Sequence, residues 1–246
     1  MRTLLDALTF LAILLGGWVN RARRQREAVA AIRAAHGEVR YDDQFGKARE
    51  VLAARRSLLG RLTGWLDDSY LRDVVAAFLD NDDTFDGTAF HAIAALPDIK
   101  YLELGTWIKD ANLESIEGLA KLRHLALRSP QLTDAGLVHL TPLKRLTYLA
   151  IWDSQINGTG LKHLRGLTKL KNLNLGGTWV DDAVLLQVAE IPTLKSIELV
   201  DANVTDIGLS HLTKMASLES LVLSGTQVTE EGRRAFRQAM PKCKLE

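Results

Sequence analysis

Apolar residues recur along the last two-thirds of the chain with a period of 24. Leu122, Leu146, Leu170, Leu194 and Leu218 open successive units. Three and five residues later come Leu125 and Leu127, Leu149 and Ile151, Leu173 and Leu175, Ile197 and Leu199, Leu221 and Leu223. A spacing of two puts both members of each pair on one face of a short strand. Leu132, Ile156, Val180, Val204 and Val228 supply one further apolar position per unit. Triplets three apart, such as Leu137, Leu140, Leu143 and Leu161, Leu164, Leu167, predict the inward stripe of a helical or 3₁₀ segment. Upstream, Ile99, Leu102 and Leu104 continue the series with a one-residue deletion between 105 and 110. A degenerate leader carries Phe85, Phe90, Ile93 and Leu96.

No single unit buries its leucines alone, so the units must stack. Stacking at about 4.8 Å per strand builds a parallel sheet on one curved face and short helices on the other. The predicted fold is therefore an α/β solenoid. Thr133-Asp134 and Thr205-Asp206, with Asp182 in the same slot, stand where helix N-caps are needed.

The pattern L-x-x-L-x-L…[IVL]-T-D-x-G-L-x-x-L-x-x-L resembles leucine-rich repeats of the ribonuclease-inhibitor-like, cysteine-containing type, over roughly Leu71–Glu246. The resemblance implies a concave parallel sheet that recognises a protein partner. Where such repeats place Cys or Asn after the strand, this chain has Pro130, Ser154, Thr178, Ala202 and Thr226, so the usual side-chain ladder is broken. Relatives with these repeats include F-box adaptors, which implies an alternative role as the recognition subunit of a degradation or signalling assembly. No F-box-like helical module precedes the repeats. A passive structural role in the cell envelope is the other alternative.

The N-terminus follows a different pattern. Leu4–Val19 reads LLDALTFLAILLGGWV with Asp6 as its one charge. As a helix it spans roughly 24 Å against a bilayer core of about 30 Å. No A-x-A-like cleavage site follows it, which argues for an uncleaved single-pass anchor rather than a signal peptide. Arg21, Arg23, Arg24 and Arg26 beyond it predict a cytoplasmic repeat domain by the positive-inside tendency. The combination resembles bacterial membrane-anchored leucine-rich-repeat proteins. Residues 1–20 are expected to be the anchor, 21–70 basic juxtamembrane helices and an N-terminal cap, and 71–246 the repeat domain. Arg24 to Ala35 favours helix, His36-Gly37 stops it, and Glu38 to Tyr41 alternates like a strand. Lys47 to Leu62 is amphipathic, expected to cap the solenoid or to lie on the membrane surface.

Composition sharpens this picture in few places. A net charge of +1 argues against a nucleic-acid partner. It hides two blocks: 11 Lys and Arg against 5 Asp and Glu from Arg21 to Arg61, then 8 Asp and one Arg from Leu62 to Asp98. The single cysteine, Cys243, excludes an intrachain disulfide and a cysteine-cluster zinc site. Asp82, Thr84, Asp86 and Gly87 match half of a calcium loop, but its twelfth position is Ile93, so helix capping is preferred. His139, His163 and His211 share one column, with Gln187 interrupting it, and read as exposed helix surface. Every loop between units is minimal and no catalytic motif occurs, so neither an enzyme nor a cofactor is expected.

The candidate site is the outward side of the strands. Tyr101, His124, Arg128, Tyr148, Trp152, Asn172 and Asn174 fall there, and Trp107 and Trp179 follow in the turns. Aromatic rings beside Arg, Asn and small residues are typical of protein interfaces. Ala126 and Ala150 are expected to leave room beside Tyr148 and Trp152. The expected partner is a protein, bound by a monomer.

Overall fold

The computed structural model describes residues 2–41, 74–79 and 88–246, with side chains from residue 16 on, excepting 18, 88 and 89. Nine strands form one sheet in chain order: β1 (Glu38–Tyr41), β2 (Val74–Leu79), β3 (Tyr101–Leu104), β4 (His124–Arg128), β5 (Tyr148–Trp152), β6 (Asn172–Asn174), β7 (Ser196–Glu198), β8 (Ser220–Val222) and β9 (Lys244–Leu245). From β2 onward every pairing is parallel, and Leu125, Leu149, Leu173, Ile197 and Leu221 lie side by side. That register is the 24-residue period made spatial. The paired inward leucines and isoleucines are almost fully buried throughout, from Leu102 and Leu104 to Leu221 and Leu223.

The return path of each unit is a short helix. The first units use α2 (Thr88–Ala94) and the 3₁₀ segments Asp110–Ile116, Asp134–Leu140 and Leu161–Leu164. The later ones use α3 (Asp182–Val188), α4 (Asp206–Leu212) and α5 (Glu230–Ala239). The capping side chains are Thr133, Asp181, Thr205 and Thr229, whose oxygens accept from backbone N–H groups of the first turn.

The aspartate that follows each capping position works between units. Asp110, Asp182 and Asp206 accept both the backbone N–H and the hydroxyl of the capping threonine one unit on, Thr133, Thr205 and Thr229, at 2.6–2.8 Å. Asp134 accepts from the Asn157 and Gly160 N–H groups in the same way. The carboxylate lies where a side chain of the next unit would go. A methyl on Gly136 would meet Asp110 Oδ1 at 2.6 Å, and one on Gly208 would collide with Asp182 Oδ1. Where the column carries Gly158 in place of aspartate, the matching glycine is Val184, whose Cγ2 lies 3.0 Å from a Cβ built on Gly158. Aspartate with glycine, and glycine with valine, are two ways of filling one volume.

The broken ladder behind the strands is mended locally. Thr178 and Thr226 hydroxyls donate to the Leu175 and Leu223 carbonyls three residues back, at 2.6 and 2.7 Å. Beside Pro130, Ser129 reaches the Ile108 carbonyl at 2.7 Å. Ser154 makes no such bond: its Oγ is buried with no hydrogen-bond partner among the described residues.

The N-terminal end is closed by α1 (Arg2–Ala34) and β1. The helix runs unbroken across the expected boundary between residues 20 and 21. Ala22, Gln25, Ala28, Val29 and Ile32 form its buried stripe, and Ala28, Val29 and Ile32 join the solenoid core. Asp98 holds this stack together by pairing with both Arg21 and Lys121. The helix ends at His36, in the left-handed region with φ 57°. Gly37 is required next, because a methyl there would meet Ile32 Cγ2 at 2.7 Å and the Phe78 carbonyl at 3.0 Å. The chain then enters β1, which pairs antiparallel with β2, with Val39 opposite Ala77. The strand at Glu38–Tyr41 agrees with the alternation in the sequence, whereas β2 is a strand the pattern did not disclose.

Among the described residues, no helix is long and apolar enough to cross a membrane. The expected anchor over Leu4 to Val19 falls largely on side chains outside the described set, as do the amphipathic segment Lys47 to Leu62 and the aspartate run Asp80 to Gly87.

Candidate functional site

The parallel register sets equivalent positions of neighbouring strands beside one another, so outward residues form columns. At the first strand position stand Tyr101, His124, Tyr148, Asn172, Ser196 and Ser220. The first three rings stack face to face, Tyr101 on His124 with centroids 4.5 Å apart and His124 on Tyr148 at 5.6 Å, with interplanar angles of 22° and 23°. The separations are those of offset-stacked aromatic pairs. Burial in this stack, reinforced by Arg123, holds the His124 imidazole below its ordinary pKa, so the middle ring is neutral at pH 7.

One column over, Asn174 braces the stack from the side. It donates from Nδ2 to Glu198 Oε2 at 2.5 Å and accepts from the Gly176 N–H at 3.0 Å. Burial first, then Glu198, pushes the Tyr148 phenol above its usual pKa, so it stays protonated. Asn174 is only 7% exposed, an internal strut whose small exposed part lines the cleft at the strand ends. Ala150 corrects an expectation. It lies on this side of β5, between Ala126 and Asn174, but is shut from solvent, so it opens no space beside Tyr148.

At the carboxyl ends of the strands the picture changes. Arg128, exposed, and Trp152, half-buried, sit side by side on β4 and β5, and Arg128 Nε donates to Asp153 Oδ2 at 2.7 Å. The turn after each of β5 to β8 passes through the left-handed region, at Asp153, Gly177, Asp201 and Gly225 with φ of 48°, 64°, 56° and 74°. Each aspartate forces the glycine that follows it. A methyl on Gly177 would meet Asp153 Oδ1 at 2.5 Å, and one on Gly225 would collide with Asp201 Oδ1. A cleft of about 420 Å³ opens here between Arg128, Trp152, Asp153, Gly177, Val200 and Asp201. Asp153 and Asp201 were not among the residues singled out from the sequence. Their signal was present in an Asp-Gly-Asp-Gly alternation at intervals of 24.

The remaining candidates divide. Trp179 is 66% exposed in the turn after β6, and Asn172 is half-buried, donating weakly to the Thr147 carbonyl at 3.4 Å. Trp107 is not a surface contact of the sheet: it packs on the hydrophobic core, edge-on to Phe90 with centroids 5.4 Å apart. The histidine column is half-buried rather than exposed, and His139 Nδ1 meets Glu117 Oε1 of the preceding unit at 2.6 Å, a carboxylate the sequence reading did not bring there. Among the described residues no group of His, Cys, Asp or Glu is arranged to hold a metal ion.

The sequence matches no protein-family model and none of the curated proteins. Among solved structures, internalin C2 from Listeria monocytogenes is similar at 23% identity, covering 71% of this chain and 84% of that one, with a TM-score of 0.47. A leucine-rich-repeat protein from Leptospira interrogans is similar at 18% identity over 63% of this chain and 38% of that one, with a TM-score of 0.48. The chain's own geometry, a parallel strand and a short helix returning every 24 residues around a leucine core, is that of a leucine-rich-repeat solenoid.

Proposed function

We propose that this protein is a non-enzymatic recognition scaffold that binds a protein partner on its concave sheet. The observation that carries the reading is the stack Tyr101, His124, Tyr148. These rings add nothing to the leucine core behind them, and stacking holds them rigid. Rigid aromatics lose little conformational freedom on binding, which is why they dominate interface energetics. The minimal loops between units support a surface for recognition over a site for chemistry.

A photo-crosslinking amino acid tests the face. Placed at Ser196 or Ser220 it should give a defined adduct with one protein, and placed at Val138 or Leu186 on the helix side it should give none. Equal adducts from both sides would sink the reading.

The proposal includes membrane anchoring by Leu4 to Val19, with the repeats on the cytoplasmic side. The apolar run with its one aspartate and the arginines that follow it support both parts. Release of the intact chain from membranes by carbonate would discard the anchor, and digestion of the repeats by protease added to intact cells would reverse the orientation.

A further inference from the structure

We propose that the cleft at the carboxyl ends of β4 to β7 receives a cationic side chain of the partner, an arginine or a lysine, against the Trp152 ring and the Asp201 carboxylate. This rests on the concave-face reading above.

The cleft is large enough for such a group at about 420 Å³. Its charge is settled by its pairs. Arg128 is the one cation lining it among the described residues and is already neutralised by Asp153 at 2.7 Å. Asp201 has no cationic partner among the described residues, and neither does Glu198, which is held toward the same region by Asn174. The left-handed backbone at Asp201 extends its carboxylate across the Gly225 Cα, fixed at the rim. The site is therefore anionic, which disfavours a phosphate or carboxylate ligand. Gly176 and Gly177 leave the floor without side chains, Val200 offers an apolar surface for an aliphatic stem, and Trp152 offers an aromatic one. A wall of this kind beside a carboxylate favours a cation by charge and by the ring quadrupole together.

The test uses the full chain in detergent micelles and N-acetyl-arginine amide as the probe. The readout is the indole N–H signals of the five tryptophans, with that of Trp152 assigned through Trp152→Phe. The Trp152 signal should move saturably at millimolar probe. N-acetyl-citrulline amide, of the same shape without the charge, should bind roughly tenfold more weakly, and Asp201→Asn should weaken the arginine probe by a similar factor. Unchanged indole signals outside the cleft show that Asp201→Asn remains folded. Equal binding of the citrulline probe, or full affinity in Asp201→Asn, overturns the proposal. If no probe binds while crosslinks from Ser196 persist, the cleft assignment alone falls. If the crosslinks vanish as well, the concave face falls with it.

Discussion

Along the helix edge the same residues return from unit to unit, whereas along the concave face each strand carries a different set. Asp110, Asp182 and Asp206 do one job three times, tying a capping threonine one unit on. Tyr148, Asn172 and Ser196 occupy one column and share no chemistry. Both regions rest on the same leucine core. The contrast teaches that repetition marks what the stack needs in every unit, and departure from repetition marks what the stack does not dictate. The outward residues stand in front of the leucine core and not between its layers, which is why they can differ from strand to strand.

The first way to break this contrast is through the core both regions share. Leu173→Asp puts an unpaired carboxylate at a position 1% exposed in the middle of the sheet. The expected cost is several kcal/mol, against about 5–15 for a whole domain, so the repeats should unfold. An unchanged thermal melt would mean that the inward register is misassigned.

The helix edge comes next. Gly208→Ala should destabilise by about 1–3 kcal/mol, because the new methyl collides with Asp182 Oδ1. In an Asp182→Ala background the same substitution should cost much less, since the obstructing carboxylate is gone. The native Gly158 and Val184 already show a unit built without that carboxylate. Additive effects in the urea-denaturation cycle would disprove the coupling.

On the sheet's outward face, Tyr148→Ala and Trp152→Ala should each cost the fold only about 1 kcal/mol, the scale of a half-buried ring outside the leucine core. Loss of such an anchor should weaken the crosslinked partner by about 2 kcal/mol, roughly thirtyfold. A fall in melting temperature as large as that of Gly208→Ala would make the rings structural and erase the contrast.

The smallest effect is a pH dependence. His124 has a lower pKa folded than unfolded, so the unfolded chain binds more protons between the lowered value and about 6.5. Stability contributed by the neutral ring is therefore complete above that range and declines as the pH falls through it. His124→Gln should flatten this part of the stability profile. An identical profile would mean that the ring does not titrate with folding.

Much of this was legible in the chain. A period of 24 with leucines two and three apart admits few structures, because an isolated unit exposes its whole apolar face. The inward leucines, the outward rings and the helix stop at His36-Gly37 all follow from local spacing. Other features were not legible because they depend on which neighbour comes alongside. Val74–Leu79 is a continuous apolar run, compatible with a buried strand or a helix turn, and only its place between β1 and β3 decides. Asn174 reads as an outward polar residue, yet Tyr148 and Glu198 on the flanking strands enclose it. Trp107 reads as a turn aromatic, yet Phe90 draws it onto the core.

The sequence by itself determined the repeat, its parity and the residues that must be buried, since those depend on interactions within a unit and on translation by a constant step. Tertiary structure alone decided what fills the space between units. The aspartate carboxylate that excludes a methyl from Gly208, the ring stack from Tyr101 to Tyr148 and the cleft beside Trp152 join residues about one repeat apart. Their contacts exist only once stacking has brought the strands and helices side by side, because close packing is settled between neighbours and not within one unit.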